Sequence, residues 1–189
     1  MKTSVGEKIR SLRETKDIDL DVLAERAQLP VEQIIAIENG CPLPGLAPLI
    51  KIARVLGVRL GTFLDDSRGM GAVVSRSSEL KESVHFSNHG STDADNMVYH
   101  SLSEGKENRH LEPFIIDILP EEGQEYSPST HEGEEFIYVQ EGQVEVIYGK
   151  NTYLLEAGDS IYYDSIVKHH VHGYNGQKAR ILAVVYTPI

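Results

Sequence analysis

The hydrophobic period changes once along this chain, and that change constrains its fold more than any other feature. Up to residue 65, apolar residues recur every three or four positions, the spacing of a helix with one buried face. Ile9 and Leu12, then Leu23, Ala24 and Ala27, then Ile34 and Ile37 keep this spacing. Leu49, Ile52, Ala53 and Leu56 repeat it, followed by Leu60, Phe63 and Leu64. Asp19 stands where a second helix needs an N-cap, and Leu29-Pro30 separates that helix from a third. Gly40 with Cys41-Pro42 stops the third, and Gly57 stops the fourth. The pattern predicts five short helices in an all-α unit.

Beyond residue 113 the runs become short and rich in β-branched and aromatic residues: 114–119, 135–139, 143–148, 152–155, 160–163 and 180–186. Turn-forming residues separate them, among them Pro120 to Gly123, Glu141-Gly142, Gly149-Lys150-Asn151, Ala157-Gly158-Asp159 and Asn175-Gly176. Such spacing predicts an antiparallel sandwich or barrel. Residues 85–109 are more polar and predict a strand or two among loops. The expected organisation is a helical domain over 1–66, a small-residue linker over 67–78 and a β domain over 79–189.

Charge divides along the same line. The net charge is −11, yet residues 1–65 hold 9 basic and 9 acidic side chains, whereas residues 106–189 hold 6 and 14. Bulk acidity therefore does not exclude an anionic partner such as DNA for the helical unit. Glu121, Glu122, Glu125, Glu132, Glu134 and Glu141 read as solvated rim positions. Cys41 is the single cysteine, so no intrachain disulfide forms, which suits a reducing cytoplasmic setting. The first ten residues lack the apolar stretch of a signal peptide, and no run reaches membrane-span length.

The segment LDVLAERAQLPVEQIIAIENG, residues 20–40, resembles the helix-turn-helix of the lambda-repressor/Cro-like (XRE) family. Leu23-Ala24, Leu29, Ile34, Ile37 and Glu38-Asn39-Gly40 carry the likeness, and residues 46–64 match the family's fourth and fifth helices. The resemblance implies a third helix lying in the major groove of an operator, with Val31, Glu32, Gln33 and Ala36 toward the bases. Gln33 suits adenine, and Glu32 suits the cytosine amino group. No Lys or Arg lies between Val31 and Gly40. Phosphate contacts are therefore expected from the N–H groups that open helices two and three, from Asn39, and from Lys51 and Arg10.

Residues 123–142 resemble the first cupin motif, G-x5-H-x-H-x3-E-x6-G. Gly123, His131, Glu135 and Gly142 hold its spacing, and Ser129 replaces the first His. Residues 156–173 resemble the second motif, with Gly158-Asp159, His169, and Gly173 where Asn is usual. The implied architecture is two-domain α + β: a five-helix lambda-repressor-like domain and an all-β cupin (double-stranded β-helix) barrel. The matching metal set is His131, Glu135 and His169, which can hold Fe(II), Mn, Ni or Zn with positions left open. In the alternative, His131 and Glu135 simply bond each other or a polar ligand in a metal-free barrel. Strand alternation puts His170 and His172 opposite His169. It also turns Ile137 and Val139 inward with Glu135, away from Phe136 and Tyr138, and sets Tyr162 and Tyr163 on opposite faces.

Together the two units are similar to regulators that fuse an XRE-type helix-turn-helix to a cupin. That resemblance implies a homodimeric transcription regulator whose barrel binds a small metabolite through Ser129, His131, Glu135, Ile137 and His169, and no enzymatic role. Two other classes stay open. One is a metal-dependent cupin enzyme of dioxygenase or isomerase type with an accessory helical unit; the other is an interaction protein that uses the helices for protein contacts.

Overall fold

The computed structural model describes residues 4–41, 45–64, 72–80, 84–86, 97–106, 109–120 and 128–188 of the 189-residue chain. Five helices come first: α1 (Val5–Thr15), α2 (Leu20–Ala27), α3 (Val31–Glu38), α4 (Leu46–Val55) and α5 (Gly61–Leu64). Ser4 and Glu7 close a capping box on α1: the Glu7 N–H donates to Ser4 Oγ at 3.2 Å, and the Ser4 N–H to Glu7 Oε2 at 2.8 Å. Asp19 is the N-cap of α2 by position, though its side chain makes no capping bond. Gln28 ends α2 in the left-handed region, and Pro30 then restarts the chain as α3. The helical stripe is buried as its period requires, with Ile9, Leu23, Ile34, Ile37, Leu49, Ile52, Leu56 and Phe63 all nearly inaccessible. Each such side chain contributes roughly 1.5–3 kcal/mol of burial.

Across this core, Glu38 at the end of α3 is buried between two arginines of α1. Arg13 donates from Nε to Glu38 Oε1 at 2.8 Å and from Nη2 to Oε2 at 3.1 Å; Arg10 Nε reaches Oε2 at 3.3 Å. The pairing locks α3 to α1 and satisfies a carboxylate that burial would otherwise penalise.

Nine strands follow: β1 (Val84–Phe86), β2 (Met97–Ser101), β3 (Leu111–Ile118), β4 (Glu134–Glu141), β5 (Gln143–Tyr148), β6 (Asn151–Glu156), β7 (Ser160–Asp164), β8 (His169–Gly173) and β9 (Ala179–Tyr186). One antiparallel sheet has the order β1-β2-β3-β9-β4-β7, and a second has β6-β5-β8. The six expected strands are present, β1 and β2 answer the polar stretch 85–109, and β8 covers the histidine stretch that alternation treats as extended though it is not among the six apolar runs. Short polar strands such as β8, HHVHG, carry little apolar signal of their own; pairing with β5 makes this one a strand. The two sheets face each other around Phe114, Ile116, Ile137, Val139, Val144, Val146, Ile181 and Val185. Ile137 and Val139 point inward, as alternation predicts, while Tyr138 is partly exposed.

The helical and β units touch. Their buried apolar side chains belong to one connected cluster. Arg54 of α4 is paired with Glu132, and Gly61 of α5 lies against Arg109, itself paired with Glu112 at 2.8 Å and buried. Residues 65 and 66 of the expected helical domain, residues 67–71 of the expected linker, and Glu121, Glu122, Gly123 and Glu125 lie outside the described residues. Glu134, another expected rim residue, accepts a hydrogen bond from the exposed Tyr162.

Candidate metal and ligand site

Three elements converge on one carboxylate. Glu135 comes from β4, His169 from the start of β8, and His131 from the segment leading into β4. Ser129 and His169 form a bridge outside the named strands: the Ser129 N–H donates to the His169 carbonyl at 2.7 Å, and the His169 N–H to the Ser129 carbonyl at 3.0 Å. His131 is held similarly, its N–H donating to the Ser165 carbonyl at 3.1 Å. Gly133 permits the turn between them. Its φ is +107°, and a Cβ there would lie 1.9 Å from the Tyr186 carbonyl oxygen.

The side-chain geometry is that of a ligand set. Glu135 Oε1 lies 2.7 Å from His131 Nε2 and 3.4 Å from His169 Nε2. The ligand atoms of His131, Glu135 and His169 all lie within 4.8 Å of one another. On the far side of each ring, His131 Nδ1 meets the Glu132 carbonyl at 3.0 Å and His169 Nδ1 meets the Val167 carbonyl at 2.8 Å. A carbonyl only accepts, so each Nδ1 carries hydrogen and each neutral ring turns an Nε2 lone pair toward Glu135. Two lone pairs and a carboxylate oxygen then face one point, which is favourable only with positive charge between them: protons on the rings, or a metal ion. Outer contacts that fix ring orientation in this way are those metal-binding histidines ordinarily have. The residues present fit a divalent ion.

Without an ion, protons on the rings supply that positive charge. Burial disfavours the ionised form of Glu135, but the hydrogen bonds and charges of His131 and His169 outweigh it and hold the carboxyl well below the usual range. Burial works against the cationic form of His169 too, and the Glu135 bond and charge overcome it, raising the pKa. Two neutral donors complete the shell: Tyr163 Oη donates to Glu135 Oε2 at 2.7 Å and Ser165 Oγ to Oε1 at 3.3 Å. Alternation already placed Tyr163 opposite in facing to Tyr162, and it is buried where Tyr162 is 64% exposed. Strand register, which sequence does not encode locally, sets Tyr163 opposite Glu135 across β4 and β7. His170 and His172, buried, stack on each other at 5.3 Å between centroids, outside the three-residue set.

The triad opens into a cavity of about 290 Å³ whose wall includes Ser129 and Ile137 beside Met97, Tyr99, Ile116 and Ile181. Met97 and Tyr99 come from β2, in the polar stretch whose sequence marks strands but no site residue. The same cavity is lined from the helical side by Leu29, Gln33, the first turn of α4 and Lys51. Of the residues expected to face DNA, Gln33 and Lys51 thus look onto the barrel in this structure. Glu32 and Asn39 are exposed and Ala36 is half-buried. Val31 packs against the helical core. Arg10, expected at phosphates, donates to Asn39 Oδ1 at 2.7 Å as well as to Glu38.

Comparison with known proteins matches the two halves separately. A helix-turn-helix family model covers residues 9–63 and a cupin domain model covers residues 115–185. The chain joins a helix-turn-helix domain to a cupin domain. Its whole length is similar to the structure of an HTH_3 family transcriptional regulator from Vibrio cholerae, 25% identical, covering 99% of this chain and 97% of that one, with a TM-score of 0.69. It is also 27% identical to the (S)-2-hydroxypropylphosphonic acid epoxidase of Streptomyces wedmorensis, over 96% of this chain and 95% of that protein. An Fe(II) form of that epoxidase with substrate is 26% identical over 97% and 98% of the two chains, with a TM-score of 0.52. Among the described residues, no helix of this helix-turn-helix–cupin protein is long and apolar enough to cross a membrane.

Proposed function

We propose that this protein is a sequence-specific, DNA-binding transcription regulator whose cupin barrel binds a small effector and a divalent ion, the effector modulating operator binding. The observation that carries it is the full-length similarity to a helix-turn-helix regulator, in which the domain order and both domains are matched together. A divalent ion on His131, Glu135 and His169 would keep coordination positions open, and it would supply a Lewis-acidic anchor for an oxygen-bearing ligand. Ser129, Ile137 and the neighbouring apolar wall bound the space such a ligand occupies. Effector and DNA are then linked through their different affinities for two arrangements of the domains; a ligand indifferent to the arrangement would shift nothing. With no basic residue from Val31 to Gly40, one unit binds weakly, and a homodimer on two half-sites about one helical turn apart supplies the affinity.

Selection of sheared genomic DNA on the purified protein, followed by sequencing, tests this. A few sharp peaks sharing a two-fold-symmetric motif are expected. A flat profile at low salt, with and without cell metabolites, refutes regulation. Replacing His131 or Glu135 by Ala should abolish the effector response while leaving basal DNA binding nearly intact.

A second reading, a metal-dependent cupin enzyme, has its own support: the epoxidase matches at nearly full length, and its Fe(II) form shares the cupin fold. Turnover and stoichiometric iron that vanish together in Glu135→Ala would favour it over regulation.

A further inference from the structure

The barrel does not close its own cavity. One end holds His131, Glu135 and His169, the middle is aliphatic, and the mouth is bounded by the helical unit through Gln33, Lys51 and the first turn of α4. Two other cations at the domain junction are neutralised, Arg54 by Glu132 and Arg109 by Glu112. Lys51 is different. It is half-buried, and its ammonium has no hydrogen-bond or ion-pair partner among the described residues; the same holds for the side chains of Gln33 and Ser129. Two polar groups at the mouth and a third, Ser129, beside His169, each with unused bonding capacity, describe a ligand position rather than a packed interface. The α4 turn beside them begins at Gly45 with no side-chain cap and no acidic residue, so its end adds partial positive charge.

We propose that this cavity is one ligand site shared by both domains, which takes a small aliphatic acid. Lys51 and Gln33 hold its anionic group, the apolar wall holds its short chain, and the triad end takes a second polar group. Gln33 and Lys51 are also the groups assigned to DNA, so a filled site holds them against the barrel and excludes the duplex; this consequence rests on the proposed regulatory function. By reciprocity, DNA must weaken the acid by the factor the acid weakens DNA.

Calorimetry on the full-length protein tests the site with two anion series, propionate through octanoate and methyl- through hexylphosphonate, against the matching neutral alcohols. An acid of one series should bind at least tenfold more tightly than its alcohol, and the better series identifies the anion as carboxylate or phosphonate. Lys51→Met should weaken that acid about tenfold or more, the loss of one charge-assisted bond, and Lys51→Arg should restore most of it. If no acid binds, if acid and alcohol bind alike, or if Lys51→Met changes affinity less than twofold, the assignment falls.

Closure is read separately. In a Cys41→Ser background, maleimide labelling of Gln33→Cys should slow several-fold on saturation with butylphosphonate or hexanoate, whichever series binds. Unchanged labelling at saturation overturns the shared site. Lysine-dependent binding and slowed labelling in a protein that binds no DNA at any salt would support the shared site while removing the regulatory function.

Discussion

Tyr163→Phe isolates the hydrogen bond that aims the central carboxylate. The substitution removes one oxygen and leaves the ring, so its contacts with Tyr148 and His169, at 5.3 and 5.1 Å between centroids, survive without a cavity. Burial, followed by the charge of Glu135, pushes the Tyr163 hydroxyl far above its ordinary pKa. It stays protonated near neutrality, and it donates to Glu135 Oε2 at 2.7 Å, leaving Oε1 turned toward the two imidazoles. A bond to a charged acceptor contributes about 1.5–3 kcal/mol. Outer contacts of this kind set metal affinity by about 10–100-fold, which corresponds to roughly 1.4–2.7 kcal/mol. The two scales agree, so Tyr163→Phe should weaken Zn(II) or Fe(II) binding about 10–100-fold, measured by competition with a chelating dye. Circular dichroism should show an unchanged fold. An affinity within twofold of the parent protein would refute the claim that Tyr163 orients the carboxylate. Absence of metal binding in the parent protein itself would refute the metal site.

Gly133→Ala combines a forbidden φ with a Cβ 1.9 Å from the Tyr186 carbonyl; thermal melting should show a loss of at least about 1–3 kcal/mol, and an unchanged midpoint would contradict the described turn. Asp117 is held below the usual carboxylate pKa by the Arg180 hydrogen bonds at 2.6 and 2.9 Å, with His100 adding to the effect. A lowered folded-state pKa gives stability that is complete above the unfolded value of about 4 and is lost as pH falls through the folded value. The difference between the parent protein and Asp117→Asn in urea unfolding should therefore be largest near neutrality and shrink below about pH 4; a gap that persists at the acid end refutes the assignment. Gln33→Ala should cost about 1–3 kcal/mol of discrimination at one base pair, read by comparing selected operators with single-base variants, and unaltered selectivity would displace Gln33 from the bases.

Local sequence determined much of this protein by itself. The period of 3.6 over the first 65 residues and the short alternating runs beyond residue 113 each satisfy a burial requirement that any such chain must meet, so the five helices and six of the nine strands were legible. Alternation along one strand is equally strict, and it sets Glu135, Ile137 and Val139 on one face. The resemblance to the two cupin motifs implied His131, Glu135 and His169 as a set.

Tertiary structure decided what spacing does not encode. Strand β8 is polar and exists through its partner β5, so no apolar period announces it. Tyr163 and Ser165 reach Glu135 from 28 and 30 residues away, across strands whose register is a long-range property. No local pattern announces that the Arg10 guanidinium bonds Glu38 and Asn39 once α1 packs on α3. The meeting of Gln33 and Lys51 with a barrel built from residues 97 to 185 depends on how two separately patterned domains dock. Periodicity reports how each domain buries its own face; it carries no information about which polar side chains end up opposite one another across the junction between them.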